Sequence, residues 1–379
     1  MSLLRPLLPF GLAVFAACAD GGLISDSSQA SQRANSSLGR EDDPGAVYVM
    51  SNQAAGNAVL AFPRGADGRL GEPVAYPTGG AGTGAGLGNQ GAIALEGDLL
   101  YVVNPASDDV SGFQVSSAGL TGIGVWGSGG DLPISLARTG SLLYVLNDGA
   151  ETTVRGFAIG ANGALTPIAA ASRSLGVGVD AAEVAASPDG TTLVVTLKGT
   201  NQIVSFPILA GGGLGNAVTT ASSGATPFGF GFDNRGTLIV SEAVGGAAGA
   251  SSASSYRATG GGLAVVTASL ATNQSAICWI AVSPNGRFAF AANTGSATVT
   301  GFAVGQDGSL TLLDAGGVSG ATGTTPVDLG FSHNGRFLYV LNAGSHTISG
   351  FRVAGGDGSL TALGQMGTLP ASANGLASR

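Results

Sequence analysis

A unit of roughly 45–50 residues recurs along this chain, and such self-similarity restricts the fold more than any other feature. The unit is most complete near the C-terminus, as Pro326-Val-Asp-Leu-Gly-Phe-Ser-His-Asn-Gly-Arg-Phe-Leu-Tyr-Val-Leu-Asn342, Thr347-Ile-Ser-Gly-Phe-Arg-Val353, Asp357-Gly358 and Leu360-Thr-Ala-Leu363. It holds four short apolar runs separated by turn residues. Runs this short, rich in Val, Ile, Phe and Tyr, form strands rather than helices.

Asn-Gly and Asp-Gly pairs mark the reversals, because glycine takes a positive φ at little cost. They fall between the first two strands at Asp189-Gly190, Asn285-Gly286 and Asn334-Gly335. Between the last two they fall at Asp67-Gly68, Asn162-Gly163, Asp307-Gly308 and Asp357-Gly358. Each unit therefore reads as a four-stranded meander. No helix of usable length separates the units, which argues against a βαβ architecture. Second strands are expected at Val47–Met50, Leu100–Asn104, Leu143–Asn147, Leu193–Thr196, Leu238–Glu242, Phe288–Asn293 and Leu338–Asn342. The first unit lacks its own first strand, and Ala373-Asn374-Gly375-Leu376-Ala377 is a first strand without a second. The expected fold is an all-β, seven-bladed propeller over residues 45–379, closed by the C-terminal strand. Closure removes the bare edge that a linear solenoid would have to cap.

The N-terminal residues 1–19 stand apart. Arg5 precedes an apolar stretch, Leu7 to Ala17, too short to span a bilayer comfortably. It ends at Phe15-Ala16-Ala17-Cys18, which resembles a bacterial lipobox, so Cys18 is the expected lipid attachment and the only expected membrane contact. Ordinary cleavage after Ala17-Cys18-Ala19 is the alternative. Residues 20–44 are rich in Ser, Asn and Asp and read as a flexible linker. Cys278 then has no intramolecular partner, and it sits in an apolar run as a small hydrophobe. The net charge of -8 includes no basic stripe, which argues against nucleic acid as a partner. We expect a monomer.

In a propeller the first strands line the central channel, and the connections between blades crowd one face. Aligning the units puts Ser135, Glu183, Gly229, Trp279 and Asp328 at one first-strand position. Two carboxylates in an apolar motif are costly to bury and mark a candidate site, although a solvated channel would also hold them. The ends of the second strands supply Asn104, Asn147, Glu242, Asn293 and Asn342. Glu242 stands where other units have Asn, ahead of a Gly/Ala/Ser segment (Gly245 to Ser255) leading to a third strand near Tyr256. Asn residues here either bond turns or touch a ligand. The two histidines, His333 in a hairpin and His346 before a third strand, form no cluster with cysteine, and no Gly-x-Ser-x-Gly elbow is present. No metal or cofactor is expected. The glycine-rich run Gly79–Gly88 lacks the strand-to-helix context of a phosphate loop.

Asn334-Gly-Arg-Phe-Leu-Tyr-Val-Leu-Asn342, Thr347-Ile-Ser-Gly-Phe351 and Asp357-Gly-Ser-Leu360 resemble the seven-bladed propeller lactonase family, with its 6-phosphogluconolactonases and 3-carboxymuconate cyclase relatives. Pro227-Phe-Gly-Phe230, Val240-Ser-Glu-Ala243 and Cys278-Trp279 with Ser283-Pro-Asn-Gly-Arg287 add to the likeness. The resemblance implies opening or formation of a lactone ring on the loop-rich face. Lactone opening needs a base and oxyanion donors. Glu183 and Glu242 are the candidate catalytic carboxylates. Arg173 and Lys198, expected in loops of that face, join Trp279, Asp328, Asn147, Asn293 and Asn342 as candidate substrate contacts. The ligand expected is a small lactone or carbohydrate-like molecule. Few Arg and His residues argue against a sugar phosphate. The alternative is a non-catalytic, envelope-anchored propeller that binds a glycan, peptide or protein; a lyase or cyclase acting on an unsaturated acid is a third possibility.

Overall fold

The computed structural model describes residues 45–259 and 262–379. Residues 1–44, on which the expected signal peptide, the lipid attachment at Cys18 and the linker fall, lie outside the described residues. Seven antiparallel sheets form seven blades, each a meander from the axis outward. Their inner strands are Asn374–Ser378, Ile93–Glu96, Pro133–Thr139, Ala181–Ala186, Pro227–Phe232, Ile277–Val282 and Pro326–Phe331. The C-terminal strand pairs with Gly45–Met50 in the register Val47↔Ser378, Tyr48↔Ala377, Val49↔Leu376, so blade one is built from both ends of the domain. Ring closure is as expected, because the first blade has no other way to cover the inner edge of its first local strand.

The hairpins differ in detail from a simple Asn-Gly reversal. In Ser332–Phe337 only Gly335 adopts a positive φ (71°), while the Asn334 side-chain oxygen accepts the Arg336 N–H at 3.1 Å. Gly335 N–H also returns to the Ser332 carbonyl at 2.8 Å. Asparagine thus serves as a side-chain acceptor, and glycine alone supplies the left-handed residue.

Central strands are buried on both faces and supply most of the core, including Tyr101, Tyr144, Phe290 and Tyr339. Three of these tyrosines also tie neighbouring blades together. Tyr101 donates to the Gly163 carbonyl at 2.7 Å, Tyr144 to Gly212 at 2.8 Å, and Tyr339 to Gly68 at 2.8 Å. Each acceptor lies in the outer hairpin of the next blade, so the last bond crosses the seam between blades seven and one. Glycine is required at this contact. A Cβ on Gly68 would lie 2.3 Å from the Phe337 ring.

Two expected segments need correction. The third strand of blade five begins at Ser252, so the loop after Glu242 is shorter than Gly245 to Ser255. Arg173 lies within the outer strand Leu165–Gly176 of blade three rather than in a loop. That strand runs long because it folds back along Thr152–Ile159 over most of its length.

Candidate functional site

An innermost strand pairs on one side only, so alternate N–H groups turn to the axis and need acceptors. Side chains at the aligned first-strand position supply most of them. Val184 N–H bonds Ser135 Oγ at 3.1 Å, and Phe230 N–H bonds Glu183 Oε2 at 2.6 Å. Asp328 takes two: Leu329 N–H on Oδ1 at 2.8 Å, and Leu376 N–H of the closing strand on Oδ2 at 2.9 Å. Gly229 has no side chain to offer. There Gln90 crosses the ring, accepting from Ile280 N–H at 3.0 Å and donating to the Ile280 carbonyl at 2.7 Å. A Cβ on Gly229 would meet Gln90 Oε1 at 2.0 Å, so the glycine is what admits the glutamine.

Residues Asn89–Gly91 form a plug across the channel at the loop-rich face. Gln90 N–H reaches the Ala182 carbonyl at 3.0 Å, Gly91 accepts Leu136 N–H at 2.8 Å, and Trp279 Nε1–H bonds the Asn89 carbonyl at 2.6 Å. Asn89 donates in turn to the Ile134 carbonyl. Beyond the plug lies a cavity of about 380 Å³ whose wall includes Gln90, Glu183, Asp328, Arg138, Glu96 and Ser378. The wall runs from buried Glu183 and Asp328 to exposed Glu96 at the end of its strand. The cavity therefore opens on the hairpin face, opposite the loops.

Burial dominates the electrostatics. It lifts the Glu183 carboxyl well above its ordinary range against the Phe230 N–H bond, and nearby Asp328 lifts it further. Burial also pushes Asp328 up to about 7, although two N–H bonds oppose the shift. Among the described residues the cavity wall carries one cation, Arg138, and it is committed to backbone: it donates to the Glu96 carbonyl and to the Leu99 carbonyl at 3.2 Å, and its Nε lies 3.7 Å from the Glu96 carboxylate.

A family model described as lactonase, seven-bladed β-propeller, matches residues 151–244 and 253–373. The chain belongs to this family. Among solved structures, a candidate 6-phosphogluconolactonase from Bacteroides fragilis superposes on this lactonase-family propeller with a TM-score of 0.69 at 23% identity, over 88% of this chain and 97% of that one. A periplasmic gluconolactonase from Pseudomonas aeruginosa gives 0.69 at 19% identity, over 88% and 99%. These likenesses are of fold. No curated protein matches the chain.

The other candidates of the lactonase-family chain do not converge on the cavity. Glu242 is fully buried within blade five, accepting the Gly224 N–H at 2.8 Å and the Ser252 and Ser254 hydroxyls at 2.5 Å each. Its bonds repeat a clamp made by asparagine elsewhere. Asn104 donates to Ser111, Asn293 to Thr298 and Thr300, and Asn342 to Thr347 and Ser349, always from the end of a second strand to hydroxyls of the third. Glu242 reverses the polarity of that clamp. Asn147 has Val154 in place of the second hydroxyl, and its amide is buried without a partner. Lys198, on the loop-rich face, pairs with Asp180 at 2.6 Å and lies 5.4 Å from the Phe228 ring, which packs on Trp279. Arg173 bonds carbonyls including Ala170, Ser172 and Leu214 on the outer edge of its blade. Among the described residues no three His, Cys, Asp or Glu side chains form a group that could hold a metal.

Arg138 and Gln90 are the cavity residues that sequence reasoning missed. Arg138 had a visible signal: the equivalent positions hold Leu95, Ala186, Phe232, Val282, Phe331 and Ser378, so it alone is charged. Gln90 had none, because its contacts lie in other blades.

Proposed function

We propose that this chain is an exported lactone-opening hydrolase whose reaction runs in the axial cavity, with Glu183 as general base. The observation that carries the reading is the pairing of Glu183 and Asp328 on the wall of one cavity in a lactonase-family propeller. Glu183 Oε2 is held by Phe230 N–H, whereas Oε1 makes no hydrogen bond to the described residues. A fixed carboxylate with one oxygen open is suited to proton transfer. Water adds to the acyl carbon as Oε1 takes its proton; the ring C–O bond then breaks, and the departing alkoxide recovers the proton from Glu183. The product is the open hydroxy acid. The raised pKa makes Glu183 a stronger base than an ordinary carboxylate once ionised, so turnover rises with pH as it deprotonates.

The acceptor ring favours a second reading. Both Asp328 oxygens and one of Glu183 bind inner-strand N–H groups, which is what a purely structural carboxylate would do. On that reading the domain is a binding propeller. A panel of lactones offered to wild type, Glu183→Gln and Glu242→Gln separates the two. Glutamine keeps an acceptor for Phe230 N–H but cannot take a proton, so turnover falls at least ~100-fold. Glu242→Gln leaves turnover within about twofold of wild type, the scatter expected for a group remote from the reacting atoms. No turnover on any lactone, or equal rates in wild type and Glu183→Gln, overturns the hydrolase reading.

A further inference from the structure

The seams between blades are not all filled alike. Gly68, Gly163, Gly212, Gly308 and Gly358, each in an outer hairpin, pack on the residue that opens the second strand of the preceding blade: Phe337, Leu99, Leu142, Thr237 and Phe288 in turn. Blades two and five have shorter outer hairpins, because Ser116 pairs with Gly119 and Thr259 with Gly262, which leaves two residues for each reversal. Where blade two meets blade one, Tyr76 of the outer strand stands in: a Cβ on Gly119 would lie 2.0 Å from its phenol oxygen. Where blade five meets blade four, Thr220 holds the position of Tyr76, since Tyr76 pairs with Val59 as Thr220 pairs with Ile203. Thr220 Oγ1 accepts the Leu263 N–H at 3.3 Å, and its short side chain ends there.

A cavity of about 340 Å³ is left in this seam, open on the hairpin face. Its wall includes Thr192, which opens the second strand of blade four and which an outer hairpin would cover in other seams. Phe232 and Leu263, large apolar side chains left half-buried, line it too, and Phe230 backs Phe232 edge-on at 6.0 Å. The volume holds one aromatic ring with room for waters. Such a ring packs against Phe232 more favourably than an aliphatic ring of equal size. The wall also carries an acceptor. Asp189 Oδ1 takes the Ser187 hydroxyl at 2.6 Å and the Thr191 N–H at 3.1 Å, whereas Oδ2 accepts nothing from the described residues. A carboxylate oxygen so placed can accept a phenol O–H. Arg235 and Arg257 on the same wall have no acceptor to offer and bond carbonyls of blade six.

We propose that the seam between blades four and five is a ligand site of its own. It takes a small phenol, whose ring occupies the place that Tyr76 fills between blades one and two and whose hydroxyl donates to Asp189. The proposal is independent of the hydrolase reading, because the two cavities share no residue. The probe is p-cresol, the tyrosine side chain as a free molecule, titrated by ligand-observed NMR against wild type, Thr192→Phe and Thr220→Tyr. Each variant installs a residue that the chain already uses at the equivalent position of another blade, Phe337 and Tyr76, and the two lie on different strands. Circular dichroism checks the fold, and a crystal of wild type soaked with p-cresol locates the ring whatever the variants do. Wild type should bind saturably with a Kd of about 1 mM or below. Binding should be at least ~tenfold weaker in either folded variant, and for methylcyclohexanol, which keeps the size and hydroxyl without the aromatic ring. In the crystal the ring should lie against Phe232 and Leu263. Binding that does not saturate, that survives the substitutions or that methylcyclohexanol matches overturns the proposal, and so does a ring found elsewhere. N-acetyltyrosinamide binding more tightly than p-cresol would assign the pocket to a tyrosine of a partner protein and overturn the small-molecule assignment.

Discussion

Replacing Asp328 by asparagine should change the pH dependence of stability in a way that can be worked out beforehand. The buried carboxyl titrates near 7 in the fold, against an ordinary value of 3.8. Folded protein thus holds the Asp328 proton more tightly than unfolded protein does. The stability this group contributes is complete below about pH 4 and is lost as pH rises through 7, a total of about 4 kcal/mol at ~1.4 kcal/mol per unit. Asparagine has no such dependence. It keeps one oxygen for either Leu329 or Leu376 N–H and turns an amine toward the other, a pH-independent cost of about 1–2 kcal/mol. Asp328→Asn should therefore be about 1 kcal/mol less stable than wild type at pH 4, equal near pH 5, and about 2–3 kcal/mol more stable at pH 8. For a domain of this length that is a rise in Tm of roughly 3–4 °C at pH 8. Calorimetric or urea melts at half-unit intervals from pH 4 to 8.5 measure it. Parallel curves for the two proteins would mean that Asp328 is an ordinary solvated carboxylate and not a buried acceptor at the axis.

Two other perturbations follow from the ring. Tyr339→Phe removes the bond to the Gly68 carbonyl across the seam and leaves that carbonyl buried, for a loss of about 1–2 kcal/mol in chemical denaturation; a change below about 0.3 kcal/mol would show that the seam does not depend on it. Gly229→Ala forces a methyl group against Gln90 Oε1 and the Cys278 carbonyl, with a cost of about 1–3 kcal/mol and a displaced plug. Its crystal structure should show Gln90 moved, and an unmoved Gln90 would refute the proposed fit.

The architecture was legible because each blade carries its own punctuation. Turn glycines, the Leu-Tyr-Val runs and the unmatched strand at the C-terminus are local signals, and together they specify a closed ring. The aligned position of Glu183 and Asp328 was equally readable, since the repeat itself superposes them. What the repeat could not convey is what meets at the axis. Gln90 bonds Ile280 and fills the space left by Gly229, residues remote in sequence with no shared pattern. Glu242 stood out as a departure from asparagine, yet its meaning lay in Ser252 and Ser254, which repeat the alternate hydroxyls that face asparagine in other blades. Reading the strand pair together would have identified a clamp. Arg138 belongs to a second ring of positions, three residues further along the same strands, where its charge stands out only when that ring is aligned too.

The strand Asn374–Ser378 also has a consequence for how the molecule assembles. Six blades can form from neighbouring segments, each from contacts a few dozen residues apart, but blade one waits for a pairing between the two extremes of the domain. Long-range pairings of this kind form late, because the chain entropy of bringing distant segments together is lost before any contact compensates for it. The last intermediate is then an open horseshoe, with Gly45–Met50 bare along one edge and Asp328 still lacking its Leu376 partner. A horseshoe with a bare strand can accept the C-terminal strand of a second molecule as readily as its own. Protein concentration during refolding should thus decide between closed monomers and strand-exchanged chains, a choice made by the five residues of one strand.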